Sequence, residues 1–205
     1  QKTAYEIPKR DWSSDVCSSD LKCASVCVHP YFVPLAVKEL TGSACKVSTV
    51  VGFPLGQNMQ QIKLAEAKRA LDDGADELDI VMNLSALKEG LVDVVLEELS
   101  ALRQVASTSV LKVILETALL TDKEKQLACE IALESGADFV KTSTGFAKAG
   151  ATIEDVHLLR TSVGVKMGVK ASGGIHTFES AKKMLAAGAS RLGCSQTRAI
   201  IFPEG

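Results

Sequence analysis

Short apolar runs alternate regularly with longer amphipathic stretches along most of the chain. Seven runs are rich in β-branched residues and almost continuously apolar, which is typical of strands buried on both faces of a parallel sheet. They lie at 23–29, 46–53, 77–83, 110–116, 138–144, 168–172 and 191–195. Apolar residues recur at helical spacing between them, most clearly at 58–74, 90–106, 121–136, 152–164 and 177–188. The alternation predicts βα units with right-handed crossovers.

The ends of the helical stretches carry their own signals. Thr121, Thr152 and Thr177 each stand just before helical periodicity, with Asp or Glu in the first turn, as helix N-caps do. A Gly-Ala pair follows three helices immediately before the next strand, at 74–75, 136–137 and 188–189. The repeating unit is therefore a helix, a glycine stop and a strand.

Seven units are one fewer than an eight-stranded barrel contains. An open doubly wound sheet would usually carry a glycine-rich phosphate loop after its first strand, and the chain has no GxGxxG. The pattern favours an α/β fold, a (β/α)8 TIM barrel whose first strand is missing or replaced. Residues 23–205 are expected to form a single barrel domain.

Residues 1–22 do not follow this pattern. The polar stretch DWSSDVCSSDL at 11–21 contains the near-duplicates SSDV and SSDL and has neither strand nor helix periodicity. It resembles the translated read of a sequencing-library adapter. Our hypothesis is that this atypical N-terminal segment is an artefact, and a genomic read that encodes the same stretch would refute it.

Composition narrows the range of partners. The net charge is −2 and no basic tract is present, so neither nucleic acid nor a membrane surface is an expected partner. No apolar stretch approaches the length of about 20 residues that a membrane span needs, and the N-terminus lacks a secretory apolar core, so a cytoplasmic location is expected. The six cysteines lack CxxC spacing and the three histidines are dispersed, which favours free thiols over disulfides and predicts no metal site.

Two lysines stand in unusually apolar surroundings. Lys141 in DFVKTSTG and Lys170 in GVKASGG each lie inside a predicted buried strand, where an ammonium group is costly. A lysine in a poorly hydrated pocket beside a second cation loses its proton more easily, and a neutral amine can attack a carbonyl to form a Schiff base. The alternative is that each lysine extends to solvent from a strand end.

Several runs together resemble one enzyme family. SVCVHPYFVPLA, VVGFPLG, GADELDIVMN, LKVILET, GADFVKTSTGF, GATIEDVHLLR and GVKASGGIHT, in this order, are similar to deoxyribose-phosphate aldolases. The resemblance covers about residues 23–200, and KTSTGF with VKASGGI is its most specific part. It implies a barrel lyase, without metal or cofactor, that reversibly joins acetaldehyde to glyceraldehyde 3-phosphate to give 2-deoxyribose 5-phosphate. The implied partners are these small molecules, and a homodimer is left open.

The resemblance also implies roles for individual residues. Lys141 matches the Schiff-base nucleophile, and Lys170 matches the second lysine, whose charge eases proton loss from Lys141. Asp79 matches the acid/base aspartate that moves protons to and from the substrate hydroxyl and the enamine carbon. Lys112 would offset the charge of Asp79, or form a simple buried ion pair. Cys27 matches a cysteine near the active site, although its residue type alone favours a small buried hydrophobe.

The phosphate is expected at the ends of the last strands. Four residues are candidates, because glycines let backbone N–H groups approach an anion and serine adds a hydroxyl donor: Gly145, Gly173, Gly174 and Ser195. Tight turns alone would also explain the glycines. His176 stands where the family often has an arginine, and a histidine would be a weaker, pH-dependent substitute.

Three departures from the family pattern keep other functions open. An IDHTLLKP-type start is absent, GTSSG is replaced by GCSQT, and the chain stops soon after, so a final helix should be short or absent. The alternatives are another Schiff-base barrel aldolase, a transaldolase, or a catalytically impaired barrel fragment that binds a phosphate.

Overall fold

The computed structural model describes residues 23–202, and within that range one parallel sheet runs through the molecule. Each strand pairs with the next one in the chain, so the spatial order is the sequence order. Every predicted apolar run contains one of its seven strands. They are β1 (Ser25–Val28), β2 (Lys46–Val51), β3 (Glu77–Val81), β4 (Val110–Ile114), β5 (Phe139–Lys141), β6 (Gly168–Ser172) and β7 (Arg191–Gly193).

Helices fill the connections between the strands. They are α1 (Val33–Glu39), α2 (Gln60–Asp72), α3 (Leu84–Lys88), α4 (Val92–Val105), α5 (Asp122–Glu134), α6 (Ile153–Val163), α7 (Phe178–Ala186) and α8 (Thr197–Ile201), with 3-10 turns at Pro30–Phe32 and Thr117–Leu119. The five predicted helical stretches are confirmed as α2 and α4 to α7. Periodicity does not predict α1, α3 and α8, because five to seven residues are too few to display a repeat. The last helix of the described residues, α8, is short, as expected.

The three predicted threonine caps are confirmed. The hydroxyl of Thr121 accepts a hydrogen bond from the backbone N–H of Glu124, and Thr152 and Thr177 cap α6 and α7 in the same way. Each cap satisfies a backbone donor that the first helical turn leaves without a partner, and such a cap contributes about 1 kcal/mol. Within residues 23–202, no helix is both long and apolar enough to traverse a bilayer.

The hydrophobic core lies between the sheet and its helices. On each strand, every second side chain faces the helices. Leu78 and Ile80 on β3 and Leu111 on β4 do so, and they pack in one cluster with Leu99 and Leu102 of α4. Because successive strand residues face opposite sides of a sheet, the residues between them face the other way. That second face is the one that carries the charged side chains.

The sheet curls around this charged face. The carboxylate of Glu77 on β3 accepts hydrogen bonds from Arg191 on β7, with 2.7 and 2.8 Å between the atoms. Four strand spacings separate these strands, which is about 19 Å in a flat sheet and beyond the reach of the two side chains. The ion pair therefore requires the curvature of a barrel wall, as predicted. The expected segment 1–22, where a first strand would stand, lies outside the described residues.

A tight contact in the interior yields a test of this packing. A Cβ on Gly168 of β6 would lie 2.2 Å from the ring of Phe139 on β5, and the guanidinium carbon of Arg191 stands 4.9 Å from the centre of that ring. Gly168→Ala should lower the free energy of unfolding by about 1–3 kcal/mol through overpacking. Chemical denaturation measures this change. Adding Phe139→Leu should restore part of the loss, and an unchanged stability in Gly168→Ala would contradict the interior placement of the ring.

Candidate active site

Asp79 lies at the centre of the charged interior and is fully buried. Its Oδ2 accepts hydrogen bonds from the Nζ atoms of Lys141 and Lys170, at 2.8 and 2.7 Å. Its Oδ1 accepts from Lys112 Nζ at 2.7 Å and from Ser48 Oγ at 3.3 Å. One carboxylate thus contacts three lysines.

Strand register brings these groups together. Asp79 lies opposite Lys112 in the β3–β4 pairing, and Lys141 lies opposite Lys170 in the β5–β6 pairing. Residues opposite one another in a parallel pairing face the same side of the sheet, so all four side chains enter the interior. Lys141 is the last residue of β5, at the carboxyl edge where barrel enzymes carry their active sites.

The two lysines do not extend to solvent. Lys141 and Lys170 are each 4% exposed, and both amines are hydrogen-bonded inside the sheet. The alternative that they leave the strand ends for water is therefore wrong. Burial removes the water that would otherwise stabilise their charge, so their electrostatics are set by the neighbouring side chains.

A second carboxylate extends the network toward the amino ends of the strands. Glu77 stands two residues before Asp79 on the same face, and its Oε2 lies 2.7 Å from Lys112 Nζ and 2.7 Å from Arg191 Nη1. Lys112 consequently bridges both carboxylates while fully buried, which is the geometry of a buried ion pair. Four cationic side chains thus surround two carboxylates, and each carboxylate contacts at least two of them.

The same cations act on the two carboxyl groups. Burial alone would raise the pKa of Asp79, but the charges of Lys141, Lys170 and Lys112 outweigh it and hold that pKa well below its usual range. Burial opposes ionisation of Glu77 too, and Lys112 and Arg191 nevertheless lower its pKa. Both side chains are therefore carboxylates at neutral pH.

The predicted phosphate residues lie in the loops after the last three strands. Gly145 and Gly173 lie next to each other. A Cβ added to Gly173 would be in van der Waals contact with the Cα of Gly145, at 3.8 Å. Gly173 and Gly174 have φ angles of 85° and 77°, which favour glycine. Ser195 follows β7 and lines a cavity of about 560 Å3 with residues of α8. The structure thus brings the first three candidates into one region, and Ser195 lies at the end of the neighbouring strand.

Cys27 and His176 occupy the edges of this arrangement. Cys27 is partly buried on β1, in register with Ser48, whose hydroxyl contacts Asp79. The structure therefore places it on the interior side of the sheet. His176 is exposed in the loop before α7.

Sequence reasoning missed three polar residues of the site. Glu77 could have been found from the two-residue spacing of ELD, which puts it on the same face as Asp79. Arg191 is the first residue of a predicted strand, and no spacing to another charged residue indicates that it faces the interior. Glu116 ends the LKVILE run, and its left-handed backbone, with φ 51° and ψ 62°, has no signature in the sequence pattern. Its carboxylate binds Thr144 in the loop after β5.

No group of three or more His, Cys, Asp or Glu side chains within residues 23–202 is arranged to hold a metal ion. The polar centre consists instead of amines and carboxylates paired with one another. A buried amine at the carboxyl edge of a curled parallel sheet, beside a second amine and a carboxylate, is the constellation of a Schiff-base barrel enzyme.

The comparison with protein families agrees with that class. The model described as DeoC/LacD family aldolase matches residues 13–201. This chain belongs to the DeoC/LacD aldolase family.

Individual relatives are similar over most of their length. The deoxyribose-phosphate aldolase of Streptococcus gordonii is 51% identical over 181 residues, covering 88% of this chain and 82% of that protein. The corresponding protein of Lactococcus lactis subsp. lactis is 53% identical over 177 residues, covering 86% and 80%. Among solved structures, an aldolase called QR15 superposes with a TM-score of 0.85 at 45% identity, covering 91% and 87%. A tetrameric deoxyribose phosphate aldolase from Aeropyrum pernix gives 0.83 at 35% identity, covering 90% and 78%.

The lowered carboxyl pKa values predict how stability depends on pH. A carboxyl whose pKa is lower when folded than when unfolded stabilises the fold above its unfolded value of about 4, and this contribution is lost as the pH falls. The free energy of unfolding should therefore drop steeply in acid. Asp79→Asn should cost about 3–5 kcal/mol at pH 7, because it leaves buried lysines without their anion, and should flatten the acid limb. Denaturant titrations at several pH values test both effects.

Two further variants serve as references for that experiment. Glu77→Gln should also lower the free energy of unfolding at pH 7 and flatten the acid limb, since the pKa of Glu77 is lowered as well. Asp72→Asn removes the exposed pair with Lys68 and should change stability by less than about 1 kcal/mol. An acid limb that is equally steep in the wild type and in Asp79→Asn would contradict the assignment.

Proposed function

We propose that this chain, with residues 23–205 as one domain, catalyses the reversible cleavage of 2-deoxy-D-ribose 5-phosphate to acetaldehyde and D-glyceraldehyde 3-phosphate. The observation that carries the proposal is the shared oxygen of Asp79, which contacts the amines of both Lys141 and Lys170. The similar proteins named as deoxyribose-phosphate aldolases support this choice of substrate.

Lys141 is the nucleophile. Its neutral amine adds to the C1 aldehyde of the open-chain sugar, and loss of water gives a protonated Schiff base. Lys170 and Lys112 are its neighbours, and both contact the same carboxylate of Asp79 that Lys141 contacts. The positive nitrogen of the Schiff base then withdraws electrons from the carbon chain, which prepares the bond between C2 and C3 for cleavage.

Asp79 moves the protons. A proton leaves the C3 hydroxyl, the C2–C3 bond breaks, and its electron pair flows to the Schiff-base nitrogen, which produces glyceraldehyde 3-phosphate and an enamine. The enamine takes a proton at C2, and water then releases acetaldehyde and restores the amine of Lys141. Because Oδ2 of Asp79 contacts both amines, it passes protons between Lys141 and Lys170 without a movement of the backbone.

The remaining candidates support these steps. Lys112 holds Oδ1 of Asp79, which leaves Oδ2 turned toward the reacting amines. Gly145, Gly173 and Gly174, with Ser195, bind the phosphate through backbone N–H groups and a hydroxyl. Cys27 borders the site from β1. The expected cytoplasmic location stays a prediction.

Covalent trapping tests the nucleophile. When the protein is incubated with acetaldehyde and borohydride, the Schiff base should be reduced and one ethyl group should remain on the peptide that contains Lys141. Peptide mass spectrometry locates the adduct. Lys141→Met should abolish it, whereas Lys170→Met should keep the acceptor amine but slow trapping at neutral pH by about tenfold, because Lys170 no longer exchanges protons with Lys141 through the shared oxygen of Asp79.

The outcomes separate the candidate functions. A folded protein without an adduct on Lys141 would refute the proposal. An adduct without turnover of 2-deoxyribose 5-phosphate would favour another Schiff-base aldolase or an impaired barrel, and a screen of donor and acceptor aldehydes would distinguish these two.

We also propose that the protein forms a homodimer. Large apolar side chains are exposed where the neighbouring helices α2 and α4 begin, namely Met59, Ile62, Leu91 and Val94. Such side chains are a common feature of subunit interfaces, and the similar Aeropyrum pernix protein is described as tetrameric. Light scattering should give the mass of a dimer for the wild type and of a monomer for Ile62→Glu. Ile153→Glu, at an exposed site on α6, is the matched control, and a monomeric wild type would refute the proposal.

A further inference from the structure

Glu116 is the single non-glycine residue with a left-handed backbone among residues 23–202. An L-residue with a side chain as long as glutamate adopts this conformation at a cost in free energy, so its surroundings must hold it there. Residues on both sides of it do so. Leu115 N–H donates to the carbonyl of Lys141, and Thr117 N–H donates to the carbonyl of Thr142, each at 2.9 Å. The strained position is thus fixed against the end of β5, beside the lysine nucleophile.

The side chain of Glu116 reaches from the connection after β4 into the loop after β5. It is only 3% exposed, and its Oε2 accepts hydrogen bonds from the N–H of Thr144, at 3.1 Å, and from the hydroxyl of Thr144. The hydroxyl oxygen of Thr144 in turn accepts from the N–H of Phe146 at 3.1 Å. These bonds connect Phe146 to Thr144 and Thr144 to Glu116, and they enclose Gly145.

This arrangement determines which backbone donor remains for a ligand. The N–H groups of Thr144 and Phe146 are both used inside the protein, whereas that of Gly145, between them, has no acceptor among residues 23–202. Gly145 has a φ of 91° and lies against Gly173 of the neighbouring loop. An N–H that is rigidly held beside a second glycine turn is suited to an anion.

Stability alone does not explain a glutamate at this position. Its second oxygen, Oε1, is buried without a hydrogen-bond partner in the described part of the chain, as are the hydroxyls of Thr117 and Ser143 beside it. A buried polar atom without a partner destabilises a fold. The strained backbone and the unpartnered oxygen are two independent costs at one residue, and such costs concentrate where a residue serves a ligand.

We infer that Glu116 is a positioning residue for the phosphate of the substrate. By holding Thr144, it fixes the turn at Gly145 so that the free N–H of that glycine is directed at the phosphate. The inference rests on the proposed function, since it assumes a phosphorylated sugar at the carboxyl edge of β5 and β6. Glu116 itself does not take part in the chemistry at Lys141.

The test compares substrates with and without the phosphate. In Glu116→Ala, the KM for 2-deoxyribose 5-phosphate should rise about tenfold with a smaller change in kcat, as expected when a hydrogen bond to a charged group is lost. The kcat/KM for unphosphorylated 2-deoxyribose should change little. Glu116→Gln keeps an oxygen that can accept from Thr144 and should restore most of the preference for the phosphorylated sugar.

Two further variants separate the side chain from the backbone. Glu116→Gly removes the carboxylate but relieves the strained backbone, because glycine adopts a left-handed conformation freely. It should fold and still lose the preference for the phosphate. Thr144→Val removes the hydroxyl of the same contact, so its effect and that of Glu116→Ala should be less than additive. If Glu116→Gly kept the full preference, or if both substrates lost activity equally, the inference would be overturned.

Binding of inorganic phosphate supplies a readout that does not depend on turnover. Calorimetry should show weaker binding to Glu116→Gly than to the wild type, by about tenfold, with Glu116→Gln close to the wild type. Equal affinities in all three proteins would refute the positioning role even if the wild type turned over no sugar. A wild type that bound phosphate in this way but formed no adduct on Lys141 would refute the proposed function instead.

Discussion

The contact between one buried carboxylate and three lysines is the constraint on which the rest of the structure depends. Asp79 is the anion that makes the burial of Lys112, Lys141 and Lys170 tolerable, and those lysines keep it ionised in a place where burial would otherwise protonate it. Neither the buried carboxylate nor the buried lysines would stay charged in this interior without the other. The sheet must curl for side chains from four strands to meet, so the curvature, the charge pairing and the chemistry have one common origin.

The fold could largely be predicted from the sequence because its signals are local. Buried parallel strands are almost entirely apolar, helices begin at threonine caps, and both patterns are visible in a few consecutive residues. The lysines were detectable for the same reason, as charges in apolar runs such as DFVKTST. That Lys141 and Lys170 share one oxygen of Asp79 was not, since it depends on the relative positions of three strands.

The missed residues show where this reasoning stops. Arg191 reaches Glu77 from a strand 114 positions later in the chain, and no local pattern encodes that distance. Glu116 was missed for a different reason. Its importance comes from a backbone angle that contradicts residue preferences, and pattern analysis assumes that each residue follows them. Arg191 and Glu116 both make contacts between different elements of the fold. The predicted residues, by contrast, were visible from the sequence of the single strand that carries them.

The pairing order of the strands has a consequence for inheritance. Asp79, Lys112, Lys141 and Lys170 come from the consecutive strands β3 to β6, and Glu116 and the turns at Gly145 and Gly173 lie in the connections between or just after them. The proposed catalytic groups and most of the proposed phosphate contacts therefore occupy one uninterrupted stretch of about half the chain. Recombination that exchanged this stretch between related barrels would transfer the proposed nucleophile, proton carrier and anion site as one unit, while the flanking strands diverged separately.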